Sequence, residues 1–90
     1  KLSWTTVDEV RNRTKQAVKK NRILLFHWRG GYLTKEVLKE LLVVFDEEAS
    51  VKGKQAYVSV NWPQAVIRVR FEDGAGEEQV EMEDANEGER

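Results

Sequence analysis

Tyr57, Arg68 and Arg70 lie on two short alternating stretches that a turn at Pro63-Gln64 would bring side by side, with Trp62 at the turn. An aromatic ring offers a face on which any base can stack, worth ~1–3 kcal/mol per base. A guanidinium either holds phosphate or lies flat on a second ring. Trp28-Arg29 closes a separate apolar run, and Lys52 and Lys54 border Gly53, so both pairs are candidates to extend the same track. These residue types and spacings suit binding of single-stranded nucleic acid with little sequence preference. Each residue also has a structural reading: Trp28 as a core residue, Trp62 as a hairpin plug, Arg68 paired with Glu81, and Tyr57 stacked on Arg70. The last two are cross-strand contacts of ~0.2–1 kcal/mol.

Catalytic constellations are weaker. His27 is the only histidine and there is no cysteine, so one chain assembles neither a Ser-His-Asp relay nor a typical zinc site. Asp46, Glu47 and Glu48 are consecutive on a helix end and point in different directions, which disfavours a shared Mg²⁺. Gly30-Gly31 lacks the spaced glycines and the Lys-Ser/Thr pair of a phosphate-cradling loop. The expectation is a binding protein without metal or cofactor, not an enzyme.

The formal net charge of −1 hides a segregation: residues 1–71 carry fourteen Lys or Arg against seven Asp or Glu, whereas residues 72–90 carry one Arg against nine acids. A basic surface beside an acidic end is a common arrangement in nucleic-acid binders, where the core attracts phosphate. Ninety residues at 40% hydrophobic content suit one small domain. Its expected extent is 4–83, followed by a disordered acidic tail over 84–90. The longest apolar runs, Ile23–Phe26 and Leu41–Phe45, are far shorter than the ~20 residues that span a bilayer. With no secretory signal pattern and no cysteine, an intracellular, cytoplasmic protein is expected. The chain opens on Lys1 rather than Met, and more sequence is expected on either side. A charged fraction of 34% with one Pro leans towards a thermophile.

The elements that position these residues follow from periodicity. Thr6-Val7-Asp8-Glu9 matches a capping box before a helix over Val7–Lys20, with Trp4 as a hydrophobic staple. On the helical wheel Val7, Val10, Thr14, Ala17 and Val18 share a face, flanked by Arg11, Lys15 and Lys19 on one side and Arg13 and Lys20 on the other. Arg22–Trp28 reads as a strand buried on both faces or a central strand. Thr34 caps a second helix over Lys35–Ala49, whose apolar residues Val37, Leu38, Leu41, Leu42, Val44, Phe45 and Ala49 cover an arc wider than one sheet face needs. Part of that arc is a candidate dimer interface. Gln55–Trp62 and Ala65–Phe71 alternate and form a hairpin, Asp73–Gly76 turns, and Glu78–Glu83 supplies a last strand.

Side-chain parity then sorts the sheet. Val60, Ile67 and Met82 form one inward row, and Val58, Val69 and Val80 the next. The other face reads Tyr57, Arg70, Gln79; Ser59, Arg68, Glu81; and Asn61, Val66, Glu83. The predicted class is α+β in the order α-β-α-β-β-β, a small antiparallel sheet packed on two helices.

The helix with basic flanks, the run Ile23-Leu24-Leu25-Phe26-His27-Trp28-Arg29, the second helix and the meander from Tyr57 to Phe71 resemble, in organisation, the ThermoDBP type of single-stranded DNA-binding proteins of thermophilic archaea. The resemblance covers about residues 4–83. It implies a small antiparallel sheet held by helices, with an apolar cleft bordered by basic residues. Carried onto this chain, it implies stacking by Trp28, Tyr57, Trp62 and Phe71 and phosphate contact by Arg29, Lys54, Arg68 and Arg70. Glu81 and Glu83 depart from a uniformly basic cleft. Single-stranded DNA is favoured over RNA, and a slope of log affinity on log salt of about −3 to −4 is expected at ~0.7 per phosphate. The alternative is a protein interaction module in which the helix over 35–49 forms a homodimer or adaptor surface. A winged-helix duplex binder normally has one helix more than this chain shows before the hairpin.

Overall fold

The computed structural model describes residues 2–28, 33–72 and 76–82. Ser3 starts the first helix, because its hydroxyl accepts a hydrogen bond from the Thr6 amide at 3.2 Å and donates to the Thr6 hydroxyl at 2.9 Å. Helix α1 accordingly spans Trp4–Lys20 and begins ahead of the expected Val7. The capping box at Thr6 and Glu9 is not the one used. Trp4 is the first helical residue and is exposed, so it is no staple. Leu2 and Val7 hold the two staple positions instead, Leu2 buried and Val7 packed on the core. Val10, Thr14, Ala17 and Val18 are buried as the wheel requires, and the Thr14 hydroxyl donates to the Val10 carbonyl at 2.7 Å. Asn21, at φ 55°, ends the helix in the left-handed region that asparagine tolerates.

Strand β1 is Ile23–Trp28, helix α2 is Lys35–Val51, and strands β2, β3 and β4 are Ala56–Asn61, Val66–Phe71 and Glu77–Met82. The order α-β-α-β-β-β and the α+β class are those read from the sequence. Thr34 caps α2 as expected, its hydroxyl accepting from the Val37 amide at 3.1 Å. The two helices run alongside each other in the same direction, Leu2 meeting Glu40 and Arg11 meeting Glu47. This explains the wide apolar arc of α2. Val37, Leu41, Val44, Phe45 and Ala49 are buried within the chain, while Leu38 and Leu42 are half-buried on the same core.

The sheet is mixed, in the order β2-β3-β1-β4. Strand β1 pairs antiparallel with β3 and parallel with β4, so the all-antiparallel meander is corrected. The physical reason is that β1 is the one strand apolar at nearly every position, and such a strand belongs at the centre. The link from Phe71 to Glu77 is long enough to pass the start of β1, a gap of two inter-strand spacings or ~10 Å. The Ile23 amide donates to the Gly76 carbonyl at 2.9 Å where that link meets β1. The expected β2–β3 register holds, with Tyr57 opposite Arg70, Val58 opposite Val69 and Val60 opposite Ile67. Val80 and Met82 keep their inward parity but lie beside Phe26 and Trp28 of β1. The hairpin connection is the four residues Trp62–Ala65, with a cis Trp62–Pro63 bond and Ala65 at φ 58°, rather than Pro63-Gln64 alone. The expected turn at 73–75 and the tail at 84–90 lie outside the described residues.

One cluster fills the space between sheet and helices, centred on Phe26 of β1 and Phe45 of α2, whose ring centroids are 5.7 Å apart. Phe45→Ala is expected to destabilise the fold by about 3–5 kcal/mol. Val43→Ala, on the exposed side of α2, should change stability by less than about 0.5 kcal/mol. Urea unfolding followed by circular dichroism measures both.

Candidate functional site

Because Leu24, Phe26 and Trp28 point into the core, Ile23, Leu25 and His27 point to the opposite face of the sheet, on which no described helix packs. Across that face the ladders set out two rows, Ser59, Arg68, Leu25, Gln79 and then Asn61, Val66, His27, Glu81. Tyr57 and Arg70 form the next row with Ile23 and Glu77. Ile23 is 7% exposed although it stands outside the main core cluster. Arg68 on β3 reaches Glu77 on β4 at 3.8 Å across β1, bridging the neighbours of Leu25 and Ile23. Glu81 was the expected partner of Arg68, and the insertion of β1 moves it beside His27 instead. His27 in turn is hydrogen-bonded to Gln79.

The Arg70 guanidinium carbon lies 4.5 Å from the centroid of the Tyr57 ring. Arg70 also donates to the Glu72 carbonyl at 2.7 Å, so the cation is held in place while the ring stays 43% exposed. Beside this pair is a depression of 340 Å³ lined by Leu25, Ser59, Val60, Asn61, Val66 and Arg68. Its floor is apolar and its rim offers a hydroxyl, an amide and a guanidinium. Such a surface admits a flat ring with polar edges.

Tyr57, Arg68 and Arg70 are thus brought together as expected, with Trp62 exposed at the hairpin tip. Trp28 and Phe71 are not. Both are buried in the core because parity turns them inward, and they are withdrawn as stacking residues. Lys54 turns to the end of α1, where its ammonium donates to the Val18 carbonyl at 3.2 Å and to the Asn21 side chain, so it caps a helix and is not free for phosphate. Lys52 is exposed at the end of α2. Arg29 lies outside the described residues. Sequence reading missed Ile23 and Leu25 as the floor of the open face, although a run apolar at both parities was the signal for it.

Most arginines have internal partners. Arg11 contacts Glu48 at 2.7 Å and Glu47 at 3.1 Å, and these hydrogen bonds, that to Glu48 foremost, raise its pKa above the ordinary arginine value. Arg13 and Arg22 converge on Glu78 at 3.5 and 3.9 Å. Lysines remain. Lys15, Lys19 and Lys52 rim a second groove of 170 Å³ between the helix ends, with Val18 and Val51 in its wall and Glu48 at one side. Among the described residues no carboxylate lies within ion-pair distance of these three lysines. No described helix is long and apolar enough to cross a membrane.

Comparison with protein-family models, with curated proteins and with solved structures finds no match to this chain.

Glu48 is buried and Arg11 is its partner, whereas Arg68 and Glu77 are both well exposed. Arg11→Ala is therefore expected to cost about 2–3 kcal/mol, because it leaves a buried carboxylate without its charge-assisted hydrogen bond. Arg68→Ala should cost less than about 1 kcal/mol, as exposed pairs do. Chemical denaturation of the two variants measures the difference.

Proposed function

We propose that this chain binds single-stranded nucleic acid, DNA ahead of RNA, with little sequence preference, on the open face of its sheet. The observation that carries the reading is the Tyr57–Arg70 stack, a half-exposed ring and a fixed cation on a face that no described helix covers. One base stacks on or beside Tyr57, a second ring lies over the Leu25–Val66 floor, and Trp62 receives the strand at the hairpin tip. Arg70 and Arg68 supply the phosphate contacts, Lys52 standing at the helix ends and not on this face. Stacking needs an unpaired base, which gives preference for single strands over duplex. The half of the face on β2 and β3 is the binding half, because it carries Tyr57, Arg68 and Arg70, whereas β4 adds no aromatic or basic residue to it. The resemblance to the ThermoDBP type belongs to this same proposal.

The alternative, an interaction module built on α2, is less favoured. The apolar arc that suggested it packs within the chain and leaves Val43 and Val51 as its exposed large residues.

Fluorescence anisotropy with labelled single-stranded DNA, single-stranded RNA and duplex DNA, each at several salt concentrations, tests the reading. Two phosphate contacts correspond to a slope of log affinity on log salt of about −1.4, at ~0.7 per phosphate. Tyr57→Ala should weaken single-strand binding about tenfold, within the ~1–3 kcal/mol of one stacked base. Arg68→Ala should flatten the salt slope by about 0.7 and leave the preference for single strands intact. No binding at low salt, or equal affinity for duplex, overturns the proposal.

A further inference from the structure

The two edges of the sheet differ in chemistry. Strand β4 carries Glu77, Glu78 and Glu81 among its six residues, whereas β2 reads Ala56-Tyr57-Val58-Ser59-Val60-Asn61 with no charge at all. Natural edge strands are usually blunted by lysine, proline or a bulge, and an uncharged β-branched edge is a template for another strand. Among the described residues strand β2 pairs only with β3, and its outer edge carries no strand. Its inward residues Val58 and Val60 are also only partly buried on the core, although their partners Val69 and Ile67 are completely buried. Apolar side chains and backbone hydrogen-bonding groups are therefore both incompletely covered along one line.

We infer that β2 pairs antiparallel with β2 of a second copy of this chain, joining two four-stranded sheets into one of eight strands. Three arguments single out a second copy as the occupant. Partners across an antiparallel ladder share a face of the sheet, so a two-fold axis must pass through a residue position. With Ser59 on the axis, Val58 meets Val60 of the partner subunit on the helix side, and Tyr57 meets Asn61 of the partner subunit on the open side. Every pair is uncharged and each contact occurs twice, as an isologous interface requires. The pairing uses the β2 edge of both copies and leaves no further β2 edge open, so association through this strand stops at two chains.

The pairing stands on the edge strand alone and does not depend on nucleic-acid binding. It has a consequence for that surface nonetheless. The two open faces become continuous, and Arg68 of each copy flanks the axis about 14 Å from its counterpart, three inter-strand steps of ~4.8 Å. Two short tracks become one.

Sedimentation equilibrium of the full chain over a range of concentration, without nucleic acid, tests the pairing. A monomer–dimer equilibrium is expected, with no larger species. Ser59→Lys places two ammonium groups opposite each other at the axis and should weaken dimerisation about fivefold or more, with unchanged circular dichroism. Val43→Lys, on the exposed side of α2, should leave it unchanged. Hydrogen exchange of the unmodified chain gives a readout free of any variant: protection in Val58–Val60 should rise with protein concentration. A monomer at every concentration, a dimer broken by Val43→Lys but not by Ser59→Lys, or exchange in β2 independent of concentration overturns the inference.

Discussion

The seating of Phe26 against Phe45 ties the central strand to the second helix, and the rest of the structure depends on it. Strand alternation means that once Phe26 points inward, Leu24 and Trp28 must follow, and Ile23, Leu25 and His27 must face outward. A slip of one residue would exchange the two sets, exposing Phe26 and burying His27, so the register is strongly specified. The open face inherits its geometry from this choice. Arg68 and Arg70 stand where they do because β3 aligns on β1, with Leu24 opposite Val69 and Phe26 opposite Ile67.

The same central placement explains how charge is distributed. With β1 between β3 and β4, two of the acids that follow residue 72 join the basic part of the chain: Glu77 and Glu78 enter the sheet and meet Arg13, Arg22 and Arg68. Arginine dominates these internal pairs. Its planar fork can serve two acceptors at once, as Arg11 serves Glu47 and Glu48. The lysines that remain gather where the two helices end, which is favourable for the helix dipoles and leaves a positive rim facing solvent. The basic excess of the first 71 residues is thus divided between arginines with partners inside the fold and lysines exposed at the helix ends.

An uncovered sheet face and an uncovered edge meet along β2. Strand β2 carries Tyr57 on its outward face, and its other side packs incompletely beneath the helices. Both properties follow from its place at the edge of the sheet, where a described strand flanks it on one side alone. Incomplete cover lowers the burial that stabilises so small a domain. It also leaves apolar surface and backbone for contacts with something else.

Much of the architecture is legible in local pattern. The buried stripe of α1, the cap at Thr34, the centrality of Ile23–Trp28 and the pairing of Tyr57 with Arg70 all follow from periodicity and turn chemistry, because neighbours in those elements are set within a few residues or across one hairpin. The start of α1 was misplaced because Thr6 and Ser3 both carry a capping hydroxyl, and only the burial of Leu2 selects the earlier one. Where the last strand pairs was not legible. Parity makes Val80 and Met82 point inward whether β4 lies beside β3 or β1, and only the packed core shows that the all-apolar strand takes the middle. Candidate site residues divide in the same way. Local alternation sufficed for Tyr57, Arg68 and Arg70, whereas Trp28, Phe71 and Lys54 were decided by long-range burial and by the nearness of a helix end, which residue type alone does not encode.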